Sequence, residues 1–160
     1  NIWNIYLMKI KLSQLENILQ SSAISPNTIF RGVSIDSRTV IPNDIFVPLY
    51  GKNFNGHEYI DDAIKKGAVA VISEIDLKDF PHIKVKSTLD ALAKLAIYYS
   101  QNMNPITIGI TGTNGKTTVT DMTALITAEY KPTSKTYENY NNNIGLPLSI
   151  LKSKNNSKIV

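Results

Sequence analysis

The sequence predicts an α/β protein with a largely parallel sheet. Three observations carry this. Short apolar runs at 45–49, 68–72 and 106–110 have the length and β-branched content of buried strands. Segments between and after them repeat apolar residues at helical spacing. A glycine-rich turn joins the run at 106–110 to a helix. Strands alternating with helices in this way build parallel sheets, because two parallel strands need a crossover between them.

The elements follow in order. Ser13-Gln14-Leu15-Glu16 reads as a capping box, with Leu12, Leu15, Ile18 and Leu19 on one face of a short helix over residues 13–20. Residues 31–36 alternate polar and apolar around Val33 and Ile35, predicting a strand. Pro42-Asn43-Asp44 marks a turn before the buried strand at 45–49, and 51–56 is a polar loop. Residues 58–66 read as a helix with Ile60, Ala63 and Ile64 inward and Gly67 just past its end. Strands follow at 68–72 and 83–85. A longer helix over 87–102 carries Leu89, Leu92, Leu95, Ala96 and Tyr99 and is stopped by Pro105. The strand at 106–110 then leads into a helix over 116–128.

Composition narrows the class. At 160 residues the chain has room for one domain, or one small domain and part of another. A 42% hydrophobic content and a mean hydropathy of −0.10 exclude wholesale disorder. No run approaches 18 apolar residues, so no transmembrane helix is predicted. Asn1–Leu7 lacks the features of a secretory signal, and Met8 opens a segment that reads like an ordinary start, so residues 1–7 are taken as an extension. The absence of Cys removes disulfides, thiolate nucleophiles and Cys-based metal sites. The net charge is +4, but only Arg31 and Arg38 are Arg and the Lys residues are scattered. Abundant Lys, Ile and Asn fit an AT-rich genome, and no nucleic-acid partner is predicted. His82 reads as a surface residue, and Asp61-Asp62 as a solvated helix face.

The chemistry concentrates at Gly109-Ile110-Thr111-Gly112-Thr113-Asn114-Gly115-Lys116-Thr117-Thr118. A glycine turn between a strand and a helix N-terminus turns backbone N–H groups and the positive helix end toward a phosphate. Lys116 can meet β- and γ-phosphate oxygens, and the Thr117 hydroxyl can ligate Mg²⁺. The cofactor-binding set is Gly112, Thr113, Asn114, Gly115, Lys116, Thr117 and Thr118. Lys116 and Thr117 are also assigned catalytic roles, with Thr117 as the metal ligand. The glycines at 109, 112 and 115 depart from the usual Walker A spacing.

That variant loop resembles the ATP loop of the Mur ligases, the amide-forming enzymes of peptidoglycan precursor synthesis, though folylpolyglutamate and cyanophycin synthetases have similar loops. Asp36-Ser37-Arg38, followed by Val40, Pro42, Asp44 and Phe46, resembles the N-terminal domain of the Mur ligases that add the third residue and the final dipeptide. Gly51, Gly56-His57, Ile60, Ala63 and Gly67-Ala68 continue the pattern. Asn139-Tyr140-Asn141-Asn142-Asn143-Ile144-Gly145-Leu146-Pro147-Leu148 is similar to a segment of the dipeptide-adding branch. Asn43, Pro48, Asn55, Glu138 and Asn143 depart from the family's usual residues. Asn43, which stands where Gly is usual, tolerates a left-handed backbone nearly as Gly does.

The resemblance implies a small N-terminal Mur-ligase α/β domain over 8–86 that binds the UDP-muramoyl substrate. A connecting helix over 87–104 follows, and then an incomplete P-loop ATPase domain over 105–160. It implies an ATP- and Mg²⁺-dependent ligase that adds D-alanyl-D-alanine to UDP-N-acetylmuramoyl-tripeptide through an acyl phosphate, as a monomer in the bacterial cytoplasm. Ser37, Arg38, Lys52, Asn53 and Phe54 would bind the substrate in the first domain, and Asn139, Asn141 and Asn142 in the second. For Arg38 an ion pair with Asp36 or Asp44 is a competing role, and for the three Asn residues a capping or turn role. For His57 a packing or helix-start role outweighs a ligand role. The family's Mg²⁺-binding Glu, a carbamylated Lys and the C-terminal domain would lie beyond residue 160. The chain is therefore expected to be an N-terminal fragment, inactive alone. The third-residue ligase and a non-catalytic remnant are the alternatives.

Overall fold

A computed structural model describes residues 9–51, 53–136, 142–154 and 156–160. The chain divides into two compact units, one reaching Leu95 and the other running from Ala96 to Val160.

The first unit is a five-stranded sheet with a two-stranded ribbon. The ribbon pairs β1 (Ile10–Lys11) with β3 (Ile29–Phe30) in antiparallel register. The sheet runs β2-β7-β6-β5-β4, formed by Ala23–Ile24, His82–Lys84, Ala70–Ser73, Asp44–Phe46 and Gly32–Ser34. β4, β5, β6 and β7 are mutually parallel, and only the edge strand β2 is antiparallel. All four β6 residues are buried, which explains why this strand reads as a continuous apolar run. The crossover from β5 to β6 passes through a 3-10 turn, Gly56–Tyr59, and helix α2, Ile60–Lys65. Val40, Phe46, Ile60, Ala63, Ala68 and Val71 form the core cluster of this layer. Asn43 has a φ of +76°, the left-handed conformation expected where the family carries Gly.

The helix at the start of the chain, α1, is Ser13–Leu19, but its capping box does not form. Ser13 is already helical and the N-cap is Leu12, which makes no side-chain cap bond. The free N–H groups are met from outside instead: Leu12 N–H donates to the Thr28 carbonyl at 3.0 Å and Ser13 N–H to the Pro26 carbonyl at 2.9 Å. Glu16 accepts the Ala23 N–H at 2.8 Å and so anchors β2. His82 is likewise not a surface residue. It is buried in β7, with Nδ1 2.8 Å from the Phe80 carbonyl.

Helix α3, Thr88–Met103, begins where Glu74 Oε1 accepts the Thr88 N–H at 2.9 Å and the Thr88 hydroxyl at 3.1 Å. The boundary between the two units falls inside α3. The second unit contains three short parallel segments. Ile106 and Thr133 each bridge Ile159 in parallel, so residues 158–160 lie between the other two. The 106–110 run is thus an extended segment with Ile106 and Ile108 exposed, not a buried strand. Helices α4 (Lys116–Ala128) and α5 (Gly145–Leu151) complete this unit.

Candidate functional site

The phosphate-loop residues are assembled by α4. Its N-cap is Gly115, at φ +77° and ψ 0°, a left-handed conformation that costs a side-chain-bearing residue about 1–2 kcal/mol. A Cβ at Gly115 would meet nothing within 4 Å, so the backbone faces open space. Residues 111–115 are exposed. The first turn of α4 has no acidic residue, and among the described residues no side chain caps it. Its leading N–H groups and positive helix end are therefore open to an anion. Lys116 is half-buried and its ammonium donates to the Gly112 carbonyl, closing the loop on itself. Thr117 and Thr118 are exposed. These features could hold a polyphosphate, and the exposed Thr117 hydroxyl could hold a Mg²⁺ bound to it.

Beside the loop lies a cleft of about 560 Å³. Lys116 and Thr117 line it, together with Asp121, Lys135 and Thr136, which the sequence reading did not single out. Lys135 forms an ion pair with Asp121. No local motif marks Lys135, because its partner sits on the helix before it. Asn142 uses its side-chain oxygen at the entrance of α5, accepting the Ile144 N–H at 3.0 Å and the Gly145 N–H at 2.7 Å. This is the capping role. Lys52, Asn139 and Asn141 lie outside the described residues.

The remaining candidates belong to the first unit. β4 and β5 are adjacent and parallel, so the Asp36-Ser37-Arg38 turn and the 50–55 loop leave the same edge of the sheet, at the carboxyl ends where α/β sheets bind ligands. Ser37 is buried in its turn. Arg38 grips Asp36 with Nε at 2.9 Å from Oδ1 and Nη2 at 2.7 Å from Oδ2. This pair holds the Asp36 carboxyl down at about 2. It is solvent-exposed, so it orders the turn more than it stabilises the fold. Asn53 and Phe54 are exposed. The loop carrying them is closed by a Tyr50–Asn55 bridge and by the Gly51 N–H to Phe54 carbonyl bond at 2.9 Å. Gly56 is required there, since a Cβ would stand 2.6 Å from the Leu49 carbonyl oxygen.

His57 pins this loop to the sheet. Its ring stacks on Tyr50 with centroids 4.6 Å apart. Nε2 accepts the Glu74 N–H at 3.1 Å, leaving Nδ1–H to face Asn55 Oδ1 at 3.2 Å. Protonating Nε2 would set two hydrogens against each other, and burial already lowers the His57 pKa. A lowered folded pKa means that the unfolded chain binds more protons below 6.5, so stability falls on acidification. Asp36 adds a loss of the same sign between its free value of 3.8 and about 2. Thermal unfolding followed by circular dichroism should therefore show a midpoint that is flat above pH 7 and declines below 6.5. His57→Gln, which keeps an acceptor for Glu74 without titrating, should remove the first decline and leave the second. A His57→Gln profile identical to the parent would show that His57 does not carry it.

Comparison with known proteins places these features in a family. Residues 110–160 match the Mur ligase middle domain, and residues 29–100 match the catalytic domain of the Mur ligase family. The chain belongs to the Mur ligase family. Within this family, the chain is 33% identical to the UDP-N-acetylmuramoyl-tripeptide–D-alanyl-D-alanine ligase of Bacillus subtilis across 96% of its own length. It spans only 35% of that relative, about a third of the length of the curated relatives it matches. An Acinetobacter baumannii UDP-N-acetylmuramoylalanyl-D-glutamyl-2,6-diaminopimelate–D-alanyl-D-alanyl ligase superposes with a TM-score of 0.88 at 26% identity, covering 98% of this chain and 36% of that one. The MurF ligase of Thermotoga maritima, solved in complex with ADP, gives a TM-score of 0.71 at 35% identity over 80% of this Mur ligase chain and 30% of its own.

Proposed function

We propose that this chain supplies the substrate-holding and nucleotide-holding parts of an ATP-dependent ligase that joins D-alanyl-D-alanine to UDP-N-acetylmuramoyl-tripeptide. The observation that carries the reading is the uncapped N-terminus of α4, where Gly115 is the N-cap and Lys116 and Thr117 line a cleft at the carboxyl ends of parallel segments. The names of the relatives supply the substrates. In this reading residues 8–86 hold the UDP-muramoyl end through Ser37, Arg38, Lys52, Asn53 and Phe54. Residues 87–104 connect, and residues 105–160 hold the nucleotide. Among the described residues no helix is long and apolar enough to cross a membrane.

The chemistry asks for positioning and charge neutralisation more than for a nucleophile. The tripeptide carboxylate attacks the γ-phosphorus of ATP, ADP leaves, and an acyl phosphate forms. The D-alanyl-D-alanine amine then attacks the acyl carbon, phosphate leaves, and the amine loses a proton. Backbone N–H groups of residues 113–117 hold the phosphates, and Lys116 faces the charge that develops on the transferred group. Mg²⁺, when bound, neutralises and orients the phosphate oxygens, and the Thr117 hydroxyl would hold it. Asn139, Asn141 and Asn142 would face the transferred phosphate and the muramoyl substrate.

Oxygen labelling tests this. With ¹⁸O in the tripeptide carboxylate, ligation by the protein carrying this sequence should place one ¹⁸O in the released phosphate and give a product heavier by D-alanyl-D-alanine. Unlabelled phosphate, or a product with a single amino acid added in place of the dipeptide, would overturn the assignment.

A further inference from the structure

The cleft holds a second cation that the phosphate loop does not account for. Residues 106–108, 132–134 and 158–160 run parallel through the Ile159 bridges and the Ser134 N–H to Ile159 carbonyl bond of 3.0 Å. Parallel segments end on the same side, so the phosphate loop and Lys135 both leave from one edge. The Lys135 ammonium pairs with Asp121. Asp121 follows Thr117 by four residues on α4, which places the two one turn apart on the same helix face, with Cβ atoms roughly 5–6 Å apart. Lys116, Thr117, Asp121 and Lys135 all line the cleft. The Lys135 and Asp121 side chains are 43% and 47% exposed, so the pair is wet and within reach of a solute. Exposed pairs of this kind are worth about 0–1 kcal/mol, far less than a polyphosphate offers a lysine.

We propose that Lys135 is a second phosphate-binding cation of this cleft, with Asp121 as the counter-ion that a polyphosphate displaces. The inference rests on the nucleotide reading above and deepens it: Lys116 approaches the phosphates from the helix N-terminus, and Lys135 from the neighbouring segment end. The competing role is plain charge balance, in which Lys135 only cancels the repulsion Asp121 would exert on an anion.

MgATP titration of the chain by calorimetry separates the two, with circular dichroism to check folding. Lys135→Ala should weaken MgATP binding by about tenfold, and Lys135→Arg should stay within about threefold of the parent. Lys131→Ala, which removes the same charge outside the cleft lining, should stay within about twofold. The double variant Asp121→Asn/Lys135→Ala keeps the pair's net charge of zero. If Lys135 meets phosphate, this variant should remain at least about fivefold weaker than the parent. Parental affinity in the double variant would overturn the inference in favour of charge balance. If Lys116→Ala loses binding and Lys135→Ala does not, the nucleotide reading stands and this inference falls. If the parent chain does not bind MgATP, both fall.

Discussion

In a full-length ligase carrying this sequence, Lys116→Ala is expected to lower ATP-dependent ligation by about 10²–10³-fold, the loss seen when one preorganised electrostatic contact to developing charge is removed, or roughly 3–4 kcal/mol. The reason is local. Lys116 opens α4, and its ammonium reaches back to the Gly112 carbonyl, across the glycine turn that would wrap the phosphates. No residue of α4 is buried, so the substitution leaves no core cavity. Circular dichroism should be unchanged while phosphate release collapses. Turnover at the parental rate would remove the phosphate-loop assignment; loss of helical signal would recast Lys116 as a structural residue. Thr117→Ala should also slow the reaction, with partial recovery at raised Mg²⁺. Thr118→Ser should matter least, because it keeps the hydroxyl.

Phe46→Ala is expected to cost about 3–5 kcal/mol of stability, a large share of the 5–15 kcal/mol typical of a domain. Phe46 is 1% exposed and fills the layer between β5, β6 and α2 with Ile60, Ala63 and Val71. Those neighbours are held by short parallel strands and a six-residue helix, which leave little freedom to collapse into the void. Urea unfolding should show a lower midpoint at an unchanged slope. Leu125→Ala on α4 is the contrast. Leu125 is 72% exposed, and its loss should stay within about 0.5 kcal/mol. A Phe46→Ala change of under about 1 kcal/mol would mean that this layer is not packed as described.

The chain's fold class and the glycine turn that opens α4 were legible because each rests on short-range rules. Alternation located β4, continuous apolar runs located β5 and β6, and helical spacing located α1, α2 and α3, each within a few residues. The elements that escaped, β1, β2, β3 and α5, are two-residue strands and a helix with Pro147 in its first turn. Two residues carry no periodicity, and proline masks a helix start that Asn142 in fact supplies. The capping box at Ser13 failed for the opposite reason. The local motif was present, but the Pro26 carbonyl, distant in sequence, took the Ser13 N–H that Glu16 would have accepted, and the Glu16 side chain accepts the Ala23 N–H instead.

By itself the sequence determined that a glycine turn, a lysine and a threonine open a helix after an extended apolar segment. Helix N-termini attract phosphate through backbone groups that every sequence carries, so a local pattern is enough to nominate such a site. Only the tertiary structure decided which side chains share it. Lys135 and Asp121 are 14 residues apart and belong to no common motif, yet parallel pairing through Ile159 brings the segment carrying Lys135 against α4. The same holds for His57, whose partner Glu74 is 17 residues away and reaches it because β6 ends beside the loop it braces. Contacts between elements depend on where the sheet places strand ends, and that placement is a property of the whole packed layer.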